Sequence, residues 1–147
     1  MKSFLLNEYG YKFHMNDVAA TMGIEQLNYV GDTVQKHRAN ASAYNQAFSD
    51  LKVVRTLRHD NQHKGAYWLY TLRVKNPAQF MTYMKEKQIV TSAVHARNDT
   101  HTMFRDFKSD LPGVDEFVSE QVSIPVGWWL ADQQRDYIIE AVRQYQA

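Results

Sequence analysis

Apolar residues recur at two different spacings along this chain, and the switches between them predict its elements. Val18, Met22, Leu27 and Val30 follow a helical interval behind Asn16 or Asp17, either of which can cap a first turn. Gly31, Asp32 and Thr33 offer a break and a new cap. Val34, Arg38, Ala41, Tyr44 and Phe48 then continue the interval, so two helices bend at Gly31 or run on as one. Over residues 67–74 the period changes to two, with Trp68, Tyr70, Leu72 and Val74 on one face, which predicts a strand placed centrally in a sheet. Asn76 and Pro77 open a helix with proline in its first turn and Phe80, Met81 and Met84 on its apolar side. Further strands are expected over 89–94 and 121–125. A closing helix is expected behind Asp132, with Ile138, Ala141, Val142 and Tyr145 on one stripe. This order predicts an α/β domain of α+β-like character, with helices packed on one face of a short antiparallel or mixed sheet. Residues 1–15 show neither period and read as a lead-in, leaving 16–147 as the domain.

Composition narrows the classes. With 44% apolar and 22% charged residues, 147 residues suffice for one domain with a core, which excludes a disordered chain. The net charge of +1 shows no excess that would attract nucleic acid or anionic lipid. The lack of cysteine excludes a disulfide framework, a thiolate metal site and a cysteine nucleophile. No stretch approaches a membrane span, and the apolar run at residues 3–6 meets Asn7 and Glu8, too early for a signal-peptide core. A soluble, cytoplasmic protein is expected.

Three segments carry candidate chemistry. Gly10 to Asp17 places Lys12, His14 and Asn16 just before a helix N-terminus, where backbone N–H groups and the helix dipole favour a phosphate; an ordinary capped helix start gives the same pattern. His95, Arg97, Asn98, Asp99 and His101 follow the strand expected at 89–94 and can grip hydroxyls, phosphates or a carboxylate. His95 and His101 are six apart, a spacing that matches no helical ligand pair, so hydrogen bonding is preferred over metal binding. Trp128 and Trp129 behind Gly127 can form an aromatic wall for a base or sugar, or plug the core beside the last helix. No glycine-rich phosphate loop, nucleophile elbow or paired-carboxylate pattern is present.

The run from Gly10-Tyr11-Lys12-Phe13-His14-Met15-Asn16-Asp17 through Ala19-Ala20 to Gly23 and Gln26-Leu27 closely resembles the GY-x-[YF]-x-[ML]-x-[DE]-x-x-AA-x-x-G-x-x-QL stretch of the DegT/DnrJ/EryC1/StrS sugar aminotransferases. Tyr67 to Tyr70 resembles that family's W-x-Y strand, and Lys87 to Ser92 its KGIGT turn. Val94 to Asp99 lies where its V-H-x-x-x-x-H loop falls, and Ser123 to Val126 is similar to its SLPL strand.

The resemblance implies the C-terminal domain of a fold-type-I aminotransferase that uses pyridoxal phosphate. Such enzymes move an amino group, usually from glutamate, to a nucleotide-linked keto-sugar, and they work as homodimers. In similar enzymes the GY loop reaches across the dimer to the cofactor phosphate, which points to Lys12, His14 and Asn16. His95, Arg97, Asn98, His101 and Trp128 are the implied substrate contacts. The family's cofactor lysine and its pyridine-pairing Asp come upstream of the GY stretch, so neither has a position here. None of the nine lysines sits in that context. The chain is thus expected to lack a catalytic residue of its own and to act as a homo-oligomer or with a complementing large domain. The alternatives are a non-catalytic nucleotide-sugar-binding or regulatory module and a sugar dehydratase relative with the same cofactor.

Overall fold

The computed structural model describes residues 11–58 and 64–146. The chain divides into two compact units, Met1–Gly31 and Asp32–Ala147. The start of the lead-in, including Gly10, lies outside the described residues.

In the first unit an irregular segment leads into helix α1, Asp17–Leu27. Asn16 is its N-cap: the extended backbone at Asn16 lets Oδ1 accept the N–H of Ala19 at 2.8 Å, and Asp17 in the first turn faces the positive end of the dipole. The break between the helices falls at Asn28 and Tyr29, three residues before the expected Gly31–Thr33 signal, because Asn28 and Tyr29 turn their N–H groups back to Glu25 and Gln26. Gly31 instead sits in the first turn of helix α2, Val30–Phe48, where backbone N–H groups have no intrahelical partner to lose. Not one residue of α1 is buried.

The second unit holds the core. Strands β1, Val54–Thr56, β2, Tyr70–Val74, and β3, Gln121–Ile124, form an antiparallel sheet in the order β1-β2-β3, so β2 is central as expected. Val54 pairs with Val74, Leu72 with Val122 and Tyr70 with Ile124, which sets these apolar side chains on one face. Against them lie Ala41, Tyr44 and Phe48 of α2, Phe80 and Met84 of helix α3, Pro77–Glu86, and Ile138, Ala141 and Val142 of helix α5, Asp132–Gln144. The Tyr44 ring stacks on Phe48, and its hydroxyl donates to the Pro125 carbonyl at 2.8 Å, so burial pushes its pKa well above the usual phenol value. The fold class expected from the sequence is observed.

Other details differ from expectation. Helix α5 is capped at Ala131, whose N–H donates to Gln134 Oε1 at 3.0 Å, and Asp132 is its first helical residue. β1 has three residues with Val54 alone buried, too short to show a period. Helix α4, Pro112–Glu120, was not expected; it buries none of its residues, although Val114, Phe117 and Val118 recur at helical spacing behind Pro112. It is tied to the second sheet face by charge: Glu120 accepts from Arg73 Nε at 2.8 Å, and Glu116 takes Nη2 of the same guanidinium. The strand expected over 89–94 reduces to one antiparallel bridge, Ser92 with Ser123.

Candidate functional site

The second sheet face carries Thr71, Arg73, Gln121 and Ser123, and residues 92–109 run beside it. Ser92 and Ser123 exchange both backbone hydrogen bonds, at 3.2 and 2.7 Å. Continued by two residues, that antiparallel register would pair Val94 with Gln121. The backbone leaves β3 there instead, and the side-chain amide of the buried Gln121 takes both polar groups of His95: Oε1 accepts its N–H at 3.4 Å and Nε2 donates to its carbonyl. The His95 imidazole then sits edge-on to the exposed Trp68 indole, 6.4 Å between centroids. That detour is why the expected second strand is absent.

Arg97 holds the rest of the loop. Its Nε donates to Asp99 Oδ1 at 2.8 Å, Nη1 to Asp115 of α4 at 2.6 Å, and Nη2 to the Ser109 carbonyl at 2.7 Å and to Asp99 Oδ2. These bonds hold the Asp99 carboxyl at about 2, below the usual 3.8. With its donors engaged inside the loop, Arg97 orders the two short 3-10 turns at Asn98–Thr100 and Thr102–Phe107. His95, Asn98 and His101 are exposed. Among the described residues no group of three His, Cys, Asp or Glu converges as a metal site.

Trp128 belongs to a second aromatic group. Asn40 of α2 is buried and donates from Nδ2 to the carbonyls of Val126 and Gly127, both at 3.2 Å, which fixes the turn after β3. Trp129 lies where a Cβ on residue 127 would stand, so glycine is required there. Trp128 meets Trp129 edge-on at 6.1 Å, and Trp129 meets His37 at 6.2 Å. His37 Nδ1 donates to the Tyr67 carbonyl at 2.8 Å, and Tyr67 takes a left-handed φ of 51°, the turn that leads into Trp68. Residues 67 and 68 thus touch both groups. Sequence reasoning missed Trp68, Gln121, His37 and Asn40. Trp68 was read instead as part of the strand's apolar face, and Gln121 alternates with Ser123 as a polar residue of β3.

In the first unit Lys12 and His14 are exposed on the approach to α1. A cation, an imidazole and a helix N-terminus are the donor set that fits the phosphate of pyridoxal phosphate. Asn16 Oδ1 is engaged in the cap, so Asn16 can offer only its amide hydrogens. The aldehyde end finds no match among the described lysines. All are exposed except Lys36, which is paired with Asp132 at 2.6 Å, and Lys87, whose ammonium lies 5.7 Å over the Tyr83 ring.

Residues 1–143 match the model of the DegT/DnrJ/EryC1/StrS aminotransferase family. The crystal structure of the sugar aminotransferase CalS13 from Micromonospora echinospora superposes with a TM-score of 0.88 at 31% identity, over 95% of this chain and 38% of that one. The spore coat polysaccharide biosynthesis protein SpsC of Bacillus subtilis is 26% identical over 91% of this chain and 37% of its own length. GDP-perosamine synthase of Escherichia coli O157:H7 is 22% identical over 92% of this chain and 38% of its own. The chain therefore spans well under half the length of the relatives it matches.

Proposed function

The chain belongs to the DegT/DnrJ/EryC1/StrS aminotransferase family, and from that premise we propose that it is the C-terminal part of an enzyme that transfers an amino group, from a donor such as glutamate, to a keto-sugar carried on a nucleotide. One observation carries the reading. A match running from residue 1 to 143, onto relatives named for sugar amination and polysaccharide synthesis, coincides with a helix whose apolar residues stay exposed among the described residues. At about 100° per residue, Val18 and Met22 fall on one side of α1, with Ile24 and Leu27 on roughly the opposite side. Their exposures run from 59% to 72%. A helix apolar on two sides belongs between two layers of a larger body, and the lysine-bearing part that the relatives carry is the body that fits.

Bound pyridoxal phosphate would supply the electron-withdrawing ring that stabilises negative charge beside the transferred nitrogen. Lys12, His14 and the first turn of α1 hold its phosphate. His95, Asn98 and His101 face the sugar from a loop that Arg97 orders, and Trp128 offers an aromatic surface to the nucleotide or sugar. The chain by itself is catalytically incomplete, because the lysine that binds the cofactor comes from the complementing part, in this subunit or a partner.

The test joins this chain to the lysine-bearing part of CalS13 in place of that enzyme's own C-terminal portion, and follows pyridoxal phosphate by absorbance titration. Replacing Lys12 or His14 with Ala should weaken binding by about ten- to a hundredfold, the loss of one charge-assisted phosphate contact. Unchanged affinity in both variants would remove the GY segment from the cofactor site.

A further inference from the structure

Gln121 does something that core packing does not require. Its neighbours Val122 and Ile124 fill the apolar face, while Gln121 lies on the other face with 1% exposure, a position that an aliphatic side chain would fill without leaving a polar group to satisfy. Its amide supplies one acceptor and one donor, in the arrangement a strand backbone presents to its neighbour. It offers them one side-chain length from β3, to His95 and not to the in-register Val94. Three consequences converge on one atom group. The His95 backbone is fixed at both its N–H and its carbonyl, its ring is stopped by Trp68 at 6.4 Å, and two residues on Arg97 fixes the chain again through Asp99 and Asp115. An exposed imidazole thus has its backbone pinned from below and its ring walled on one side. A histidine on an unanchored loop would lose rotamer and backbone freedom on meeting a ligand; this one has its backbone groups bonded and its ring bounded on one side.

We propose that Gln121, together with Trp68, is a positioning residue for His95: the Gln121 amide replaces the missing strand pair and sets the imidazole against the Trp68 edge, poised for the hydroxyls of a nucleotide-linked sugar. The inference rests on the reading of the 95–101 loop as sugar-facing, but the placement of His95 is measurable without any ligand. In the whole chain, NMR should show the His95 amide protected from exchange by about tenfold, the equivalent of one net hydrogen bond. The His95 ring protons should also be shifted by the Trp68 ring current. Gln121→Leu should abolish the protection and return the ring signals to ordinary values. Gln121→Glu, which keeps an acceptor for the His95 N–H, should retain part of both. Trp68→Leu should remove the ring shift and leave the protection. A freely exchanging His95 amide in the unsubstituted chain would overturn the proposal, even if Gln121→Leu fails to fold. So would a Gln121→Leu chain with a lower melting temperature and unmoved His95 signals, since Gln121 would then be core alone. Titration of the chain joined to the lysine-bearing part of CalS13 with UDP-glucose separates the two claims. If His95 follows Gln121 but ignores the nucleotide sugar, the positioning role stands and the sugar-facing reading falls.

Discussion

The two units of this chain treat the same kind of residue in opposite ways. In Asp32–Ala147 the large apolar side chains of α2, α3, α5 and the sheet close on one another, with Tyr44, Leu72, Phe80 and Met84 fully out of solvent. In Met1–Gly31 the described apolar side chains of comparable size, Phe13, Met15, Val18, Met22, Ile24 and Leu27, are all exposed by more than half. Local rules are obeyed in both: α1 has its cap and its acidic first turn. What differs is burial among the described residues. Helix formation needs only neighbours along the sequence, while burial needs partners, and the described part of the stretch that carries the family's GY signature is where the apolar side chains stay exposed.

The sharpest way to break that comparison is to truncate one residue on each side of it. Phe80→Ala should cost about 3–5 kcal/mol in urea unfolding, as for other fully buried aromatics. Ile24→Ala should stay within about 0.5 kcal/mol, as for an exposed helix position. A loss at Ile24 approaching that at Phe80 would show that α1 packs inside this chain and needs no further body.

A smaller effect separates the ordered loop of the second unit from its core. Hydrogen bonds from Arg97, with a contribution from the Ser109 N–H, hold Asp99 near 2 against the usual 3.8. A lowered carboxyl pKa means that the folded state prefers the charged form. The clamp is therefore fully formed above about pH 4, and its contribution fades as pH falls through 2. The Asp99 carboxyl resonance should titrate near 2, and Arg97→Ala should return it toward 3.8. A midpoint near 3.8 in the unsubstituted chain would mean that the loop is not clamped.

The smallest change sharpens the contrast at the level of a single turn. Helix α3 closes with Gln88 in the left-handed region, φ 60°, and the Ile89 N–H returning to the Met84 carbonyl at 2.9 Å. The family's turn has glycine at this position. Gln88→Gly should raise stability by about 0.5 kcal/mol, the relief of a crowded Cβ less the added freedom of the unfolded chain. A decrease in melting temperature would show that the Gln88 side chain contributes contacts that outweigh the strain.

The sequence by itself determined what depends on near neighbours and on period. The Asn16 and Asn76 caps, the apolar face of β2, the Pro77 helix and the stripe of α5 were all legible, because each is written in residues a few positions apart. The family was legible for a related reason: the GY stretch and the segments after it keep their order and spacing. Only the tertiary structure decided the rest. β1 exists because β2 offers it an edge, and α4 is held on the sheet by Arg73, which lies across from Glu116 and Glu120, partners 43 and 47 positions away. The 89–94 strand is cut short for the same reason, since Gln121, 26 residues downstream of His95, bonds the His95 backbone with its side chain where its own backbone would have paired with Val94. Arg97, expected to hold a ligand, is engaged by its near neighbour Asp99 and by Asp115, 18 residues away, which no local pattern ties to it. Helical and strand periods register local geometry, but a hydrogen bond between distant residues exists only once the chain has closed, and that is where the candidate site is made.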